Sequence, residues 1–265
     1  MTKRYAICYN PKMPNSEEVM GKLKSVLNKS CANYTVLDTD NCQKGFDFVF
    51  VIGGDGTILK TARFYSEFDT PIFGINLGRL GFLSQASMAD IEVSVDKILK
   101  SDYKVEDRMM LCANSYVALN DFVVKGGMSG RTSRFALAIN GKLVCEYLAD
   151  GLIVSTPTGS TAYGMAAGGP VLAPDVDAIV IVPICPHTFS ARPIVVSADD
   201  EIKILPCPNN EYVVSADGQV VFSITEDFVI RKSLNRAKLA LLNDNDFYKV
   251  LRNKLHWGIS PACIK

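Results

Sequence analysis

The amino-acid sequence predicts two domains of different class: an α/β N-terminal domain with a Rossmann-like parallel sheet, then an all-β, sandwich-like C-terminal domain. Three observations carry this. Up to residue 104, apolar strand-length runs alternate with helical stretches, the pattern of parallel βαβ units. From Arg108 to Leu242, short strands follow one another with one helix among them. Within that second region, Asn140-Gly141 and Asp217-Gly218 each separate two strand-like runs, a strong hairpin signal because both turn residues adopt positive φ. The expected organisation is residues 1–104 as the α/β domain, 105–242 as the β-rich domain, and 243–265 as a tail returning to the first.

Tyr5–Tyr9 is a short apolar strand. Asn15, with Glu18 three residues on in capping-box spacing, is expected to open a helix with Val19, Leu23, Val26 and Leu27 on one stripe. Tyr34–Leu37 reads as a second strand. Phe46–Ile52 is the central strand, and its wholly apolar run Phe48–Ile52 suits a strand buried on both faces. It runs into Gly53-Gly54-Asp55-Gly56-Thr57 and a helix over Thr57–Tyr65. Such glycines let a ligand approach the backbone, and the helix N-terminus offers N–H groups to an anion. The single carboxylate there, Asp55, would repel phosphate. It therefore accepts a proton from a substrate hydroxyl, holds a metal ion, or serves as a plain helix cap. Pro71–Ile75 is the next strand, followed by Asn76-Leu77-Gly78-Arg79-Leu80-Gly81-Phe82. Ser87 and Asp90 open a helix with Ile91, Val95, Ile98 and Leu99 on one face. Both glycine loops fall at carboxyl ends of parallel strands, where such sheets bind ligands.

In the β region, Phe135–Ile139 and Lys142–Tyr147 flank the first hairpin turn, Tyr212–Ala216 and Val220–Ile224 the second. Asn120 and Asp121 interrupt an apolar stretch with two polar side chains, which suits either ligand contact or a locally bonded turn. Asp150–Ser155 is an apolar strand that leads into Thr156–Gly164, with Gly168-Gly169-Pro170 beyond. This hydroxyl- and glycine-rich stretch can wrap the polar groups of a ligand, with Tyr163 available to stack on a ring. The tail segment Asp246–Trp257 is helix-like, with Phe247, Val250, Leu251 and Leu255 on one side.

Composition narrows the function. Of 265 residues, 48% are hydrophobic and 21% charged, and the formal net charge is zero, which argues against nucleic acid or an anionic membrane as the main partner. The eight cysteines form no C-x-x-C pair and are expected to be free thiols, without a zinc site, in a cytoplasmic protein. The apolar stretch near the N-terminus is too short for a signal peptide, and no run reaches transmembrane length.

Four stretches together resemble the bacterial NAD kinase family over nearly the whole chain: Gly53–Thr57; Leu119-Asn120-Asp121; Asp150 through Tyr163 with Gly168-Gly169-Pro170; and Ser190–Ile194 with Ala216-Asp217-Gly218-Gln219. The first is shared with lipid kinases and phosphofructokinases; the third is close to diagnostic. The resemblance implies phosphoryl transfer from ATP to the adenosine ribose 2′-hydroxyl of NAD, with Mg²⁺ or another divalent cation and no protein metal site. It implies Asp55 as proton acceptor. It places Gly56, Leu59, Lys60, Phe82, Asn120, Asp121, Arg131, Asp150, Thr158, Thr161, Ala162, Tyr163 and Gln219 at the dinucleotide. Asp121 stands where the family has Glu, one methylene longer. Leu148 stands where many members have Arg, so a charge contact there is absent or supplied elsewhere. The family also implies a homodimer or homotetramer. Two alternatives share Asp55 and its glycines: a lipid- or sphingoid-type kinase, which would need a greasy channel in place of Thr156–Tyr163, and a non-catalytic NAD(P)-binding sensor, which would gain nothing from a base.

Overall fold

The computed structural model describes residues 3–78, 81–127, 132–188, 190–207, 211–243 and 246–258. The chain divides into two compact units, residues 1–107 with 238–265, and residues 108–237. The expected boundaries lie a few residues away, at 104/105 and 242/243.

The first unit contains β1 (Arg4–Tyr9), α1 (Ser16–Lys29), β2 (Asn33–Asp38), β3 (Phe48–Ile52), α2 (Asp55–Tyr65), β4 (Ile72–Ile75), β5 (Ser84–Ala86), α3 (Ile91–Leu99) and β6 (Lys104–Arg108). Strand order is β2-β1-β3-β4, with parallel pairing throughout this run and β5 parallel to β4. A late strand, Ala237–Leu241, continues the same sheet beside β4 in parallel register, Leu239 opposite Ile72. Every residue of β3 is buried, as its unbroken apolar run requires. Alternation sorts the side chains. Tyr5, Ile7, Phe48, Phe50, Ile52, Phe73 and Ile75 form one core with α1 and α3. The opposite parity includes Cys8, which meets Tyr65 of α2. Helices therefore cover both faces.

The expected capping box at Asn15 is not formed. Asn15 sits at φ 63° with no side-chain cap bond. The chain enters α1 through a tight turn, Met13 N–H to Asn10 carbonyl and Ser16 N–H to Met13 carbonyl, which demands the left-handed conformation that Asn tolerates. An N-cap side chain works from extended backbone instead. Helix α2 begins two residues earlier than expected, at Asp55, with Gly54 extended before it.

The second unit contains β7 (Leu111–Ala113), β8 (Tyr116–Ala118), β9 (Asp121–Gly126), β10 (Ser133–Ile139), β11 (Lys142–Ala149), β12 (Gly151–Ser155), a 3-10 turn at Thr158–Thr161, α4 (Tyr163–Ala166), β13 (Ala178–Ile184), β14 (Ile194–Ser197), β15 (Ile202–Pro206), β16 (Tyr212–Ala216), β17 (Val220–Ile224) and β18 (Phe228–Lys232). Two sheets, β11-β10-β15-β18-β7-β8 and β14-β13-β12-β9-β16-β17, share one core that includes Phe122, Val124, Phe135, Leu152, Ile181, Val214 and Phe228. This is the expected antiparallel sandwich. Asn140 and Gly141 lie at φ 50° and 75°, and Asp217 and Gly218 at 51° and 65°, so both hairpins turn as the sequence indicates. The last strand of the chain, β19 (Ala237–Leu241), and the tail helix α5 (Phe247–Leu255) belong to the first unit.

Candidate functional site

In the first unit, the two glycine loops meet on Asp55. Strand β3 runs into Gly53, where a Cβ would lie 2.8 Å or less from three side-chain atoms of Thr57. Asp55 is then the first residue of α2. One oxygen of its carboxylate accepts the Phe82 N–H at 2.9 Å, and the other accepts the Leu83 N–H at 3.3 Å. Gly81 packs so closely on this carboxylate that a Cβ there would overlap it. The second loop is itself knitted. Asn76 Oδ1 accepts the Gly78 N–H at 2.7 Å, Asn76 Nδ2 donates to Ser84 Oγ at 3.2 Å, and Ser84 Oγ accepts the Gly81 N–H at 2.6 Å. Asp55 is half-buried and Gly56 beside it is exposed. A carboxylate has about four acceptor positions. The two N–H bonds fix the group and leave a lone pair on each oxygen for a further donor.

In the second unit, a carboxylate clamps a turn. The Asp217 carboxylate accepts the N–H groups of Leu119 (3.1 Å), Asn120 (2.7 Å) and Asp121 (3.2 Å), and the Asp217 N–H returns a bond to the Asp121 carbonyl at 2.9 Å. The Asn120 carbonyl accepts Thr156 N–H at 2.8 Å, and Gly159 packs against it so tightly that any side chain there would collide with backbone. These bonds lock the Asn120-Asp121 turn to the Thr156–Thr161 segment without using either turn side chain.

The two side chains line a cavity of about 450 Å³ on the outer face of the β9, β16 and β17 strands, with Ala162, Tyr163 and Lys125. Its floor is apolar: Val123, Val213 and Val221. The Lys125 ammonium lies 5.5 Å from the centre of the Tyr163 ring. Asp121 is 4% exposed, and its carboxyl takes no hydrogen bond among the described residues. Burial, and then the nearby Asp217 carboxylate, push its pKa up to about 7. An apolar floor with an aromatic edge and a row of acceptors suits a flat ring bearing hydroxyl or amine donors.

The structure brings Asn120, Asp121, Ala162 and Tyr163 to this cavity, and Phe82 to Asp55 through its N–H. Leu59 is buried on α2. Lys60 is ion-paired with Asp40. Thr158 Oγ1 accepts from Arg108 at 3.5 Å, and Thr161 Oγ1 donates to the Thr158 carbonyl at 3.3 Å. Gln219 follows the second hairpin turn, its N–H on the Ala216 carbonyl at 3.0 Å. Asp150 is exposed, its N–H on the Ile184 carbonyl, and is not part of the cavity wall. Arg131 and Arg79 lie outside the described residues. Leu148, two residues before Asp150, is 37% exposed. Sequence reasoning missed Lys125, Val213 and Ser215, which line the cavity, and the clamping role of Asp217. Their signal is parity. Asp121, Val123 and Lys125 alternate with the core residues Phe122 and Val124, and Val213 and Ser215 alternate with Tyr212, Val214 and Ala216.

Among the described residues no group of three or more His, Cys, Asp or Glu side chains is placed to hold a metal ion, and no helix is long and apolar enough to cross a membrane. The seven described cysteines carry no disulfide.

Comparison with known proteins agrees across both units. Residues 1–103 match the model of the ATP-NAD kinase N-terminal domain, and residues 119–242 that of the ATP-NAD kinase C-terminal domain. A protein of Thermoanaerobacter sp. (strain X514) named NAD kinase is 44% identical over 221 residues, covering 79% of this chain and 78% of that one. An NAD kinase of Clostridium botulinum (strain Kyoto / Type A2) is 36% identical over 272 residues, covering 96% and 97%. The crystal structure of an NAD kinase from Archaeoglobus fulgidus in complex with ATP superposes with a TM-score of 0.81 at 28% identity, covering 96% of this chain and 98% of that one.

Proposed function

The chain belongs to the ATP-NAD kinase family, and from that premise we propose that it transfers the γ-phosphoryl group of ATP to the adenosine ribose 2′-hydroxyl of NAD, giving NADP and ADP. The observation that carries the reading is the Asp55 carboxylate, fixed by the Phe82 and Leu83 N–H groups with acceptor positions to spare. In the proposed step Asp55 takes the proton of the ribose hydroxyl as that oxygen attacks phosphorus and ADP leaves. Phosphoryl transfer is governed by positioning and charge stabilisation, and a base adds ~10²–10⁴-fold.

Asn120 and Asp121 would take up ring nitrogens and ribose hydroxyls, and Ala162 and Tyr163 would flank a base. Gly56, Leu59, Lys60, Phe82, Arg131, Asp150, Thr158, Thr161 and Gln219 carry the family's remaining contacts in the same proposal. The donor is taken as the complex of ATP with Mg²⁺ or another divalent cation. Mg²⁺ is commonly held by substrate phosphates with one or two carboxylates. When bound it neutralises phosphate charge. Assembly as a homodimer or homotetramer and residence in the cytoplasm belong to the same reading.

The test is direct. Incubation with ATP, Mg²⁺ and NAD should yield NADP, with the new phosphate at the adenosine 2′ position by phosphorus NMR. A lipid or sphingoid kinase would leave NAD unchanged and phosphorylate the lipid; a sensor would bind NAD and turn over nothing.

A further inference from the structure

The Asp55 carboxylate takes its two hydrogen bonds from the second glycine loop, so whatever holds that loop aims the carboxylate. Three successive N–H groups divide the task. Gly81 donates to Ser84 Oγ at 2.6 Å, while Phe82 and Leu83 donate to Asp55. Ser84 is the first residue of β5 and is fully buried. Its Oγ also accepts Asn76 Nδ2 at 3.2 Å. Asn76, buried just past the end of β4, accepts the Gly78 N–H on its Oδ1 and donates its own N–H to the Ala86 carbonyl at 2.8 Å. Two buried side chains thus pin both ends of the loop to the sheet, and neither bonds to Asp55. The other partner rests on the same strand. Gly74 of β4 pairs in register with Ser84, and it lies so close to Ile58 of α2 that a Cβ there would overlap that side chain. The Gly53 N–H, just before α2, donates to the Ile75 carbonyl at 2.9 Å. Strand β4 therefore sets both the helix that begins with Asp55 and the loop that binds it.

We propose that Ser84 and Asn76 are positioning residues for the phosphoryl transfer, acting through the Phe82 and Leu83 N–H groups to orient Asp55; the assignment rests on the reading of Asp55 as proton acceptor. The contact has no slack. Gly81 lies against the Asp55 carboxylate with no room for a Cβ, so a loop that shifts must either turn the carboxylate or lose its bonds. A base acts only within hydrogen-bond reach of the proton it takes, and a misplacement of about 1 Å costs on the order of 10²-fold in rate. Stability alone does not reveal this role. Removing the Ser84 hydroxyl strands the Gly81 N–H and the Asn76 amide in a buried place, which destabilises the fold whether or not the loop serves Asp55. What separates the two is coupling: a residue that works through Asp55 loses its influence on turnover once Asp55 can no longer act.

The experiment is a double-mutant cycle on the full-length protein, Ser84→Ala against Asp55→Asn. It reads NADP formation per folded molecule at saturating ATP and NAD, with the folded fraction taken from melts of the same preparations. The proposal expects Ser84→Ala to lower turnover by ~10–10²-fold when Asp55 is present. In the Asp55→Asn background it expects a further loss of about twofold or less. Asn76→Ala, which leaves the Gly81 bond to Ser84 in place, should show the same pattern with a smaller loss, and it runs the cycle if Ser84→Ala does not fold. Thr61→Ala is the control. Thr61 is fully buried on α2 and its hydroxyl donates to the Thr57 carbonyl at 2.9 Å, so the variant loses stability without touching the loop and should keep its turnover per folded molecule. Equal fold losses in both backgrounds, or unchanged turnover per folded molecule in Ser84→Ala, overturn the proposal and leave Asp55 as the base. Wild-type turnover in Asp55→Asn overturns the reading of Asp55 and this proposal with it.

Discussion

Two carboxylates, Asp55 in the first unit and Asp121 in the second, sit in opposite environments. Asp55 is half-buried and accepts two backbone N–H bonds. Asp121 is almost fully buried, its carboxyl takes no hydrogen bond among the described residues, and burial, then the nearby Asp217 carboxylate, push its pKa up to about 7. Burial beside a like charge favours the neutral form of Asp121. The same side chain is thereby suited to two jobs: an anchored acceptor at Asp55, and at Asp121 an acid that changes charge when a ligand supplies partners.

The largest expected effect is on catalysis. Asp55→Asn keeps the shape but removes the acceptor, and should lower turnover by ~10²–10⁴-fold at saturating NAD and ATP. An amide also sets an N–H₂ against one of the Phe82 and Leu83 N–H groups. A loss of stability of ~1–3 kcal/mol is expected with it. Steady-state kinetics and thermal melts of one preparation check both.

Next comes the pH dependence of the ligand-free protein. The folded pKa of Asp121 is raised, so its contribution to stability is fully present below the unfolded value of 3.8 and is lost as pH rises through about 7. That shift corresponds to at most ~4 kcal/mol. Asp121→Asn cannot titrate. The stability difference, wild type minus variant, should fall steadily between pH 4 and 8, as denaturant melts at each pH would show. Asp40 and Asp177, held low by Lys60 and Lys232, titrate alike in both proteins and cancel. A flat difference would mean that Asp121 is solvated or paired.

Smaller effects separate side chain from turn. The backbone bonds to Asp217 and Thr156 hold the Asn120 turn, so Asn120→Ala should leave the melting temperature nearly unchanged. It should weaken NAD binding by ~1–3 kcal/mol, read by calorimetry, as a buried polar group of the ligand loses its partner. Smallest is Lys125→Met, which removes the cation from the Tyr163 ring and should cost ~0.5–1 kcal/mol of the same affinity.

Much of this contrast could be read along the chain, because its parts are local. The β3 run into Gly53–Thr57 and the Asn-Gly and Asp-Gly turns each fix structure within a few residues. What escaped is long-range. Strand β19 looks like its antiparallel predecessors, and only its pairing with β4 shows that it belongs to the parallel sheet. Asp217 reads as a turn residue, yet its carboxylate serves N–H groups almost a hundred residues earlier. Lys125 and Ser215 join one wall only once β9 and β16 are paired in register. The Asn15 cap failed for a local reason, a turn geometry that overrides the capping pattern.

The most direct measurement sets the two lesions side by side: NADP formation at saturating substrates, and the NAD dissociation constant, for Asp55→Asn and Asp121→Asn. The account predicts that Asp55→Asn loses turnover while keeping NAD affinity, and that Asp121→Asn loses affinity while keeping turnover at saturation. Turnover near wild type in Asp55→Asn, or both quantities falling together in both variants, would contradict the division of labour between the two carboxylates.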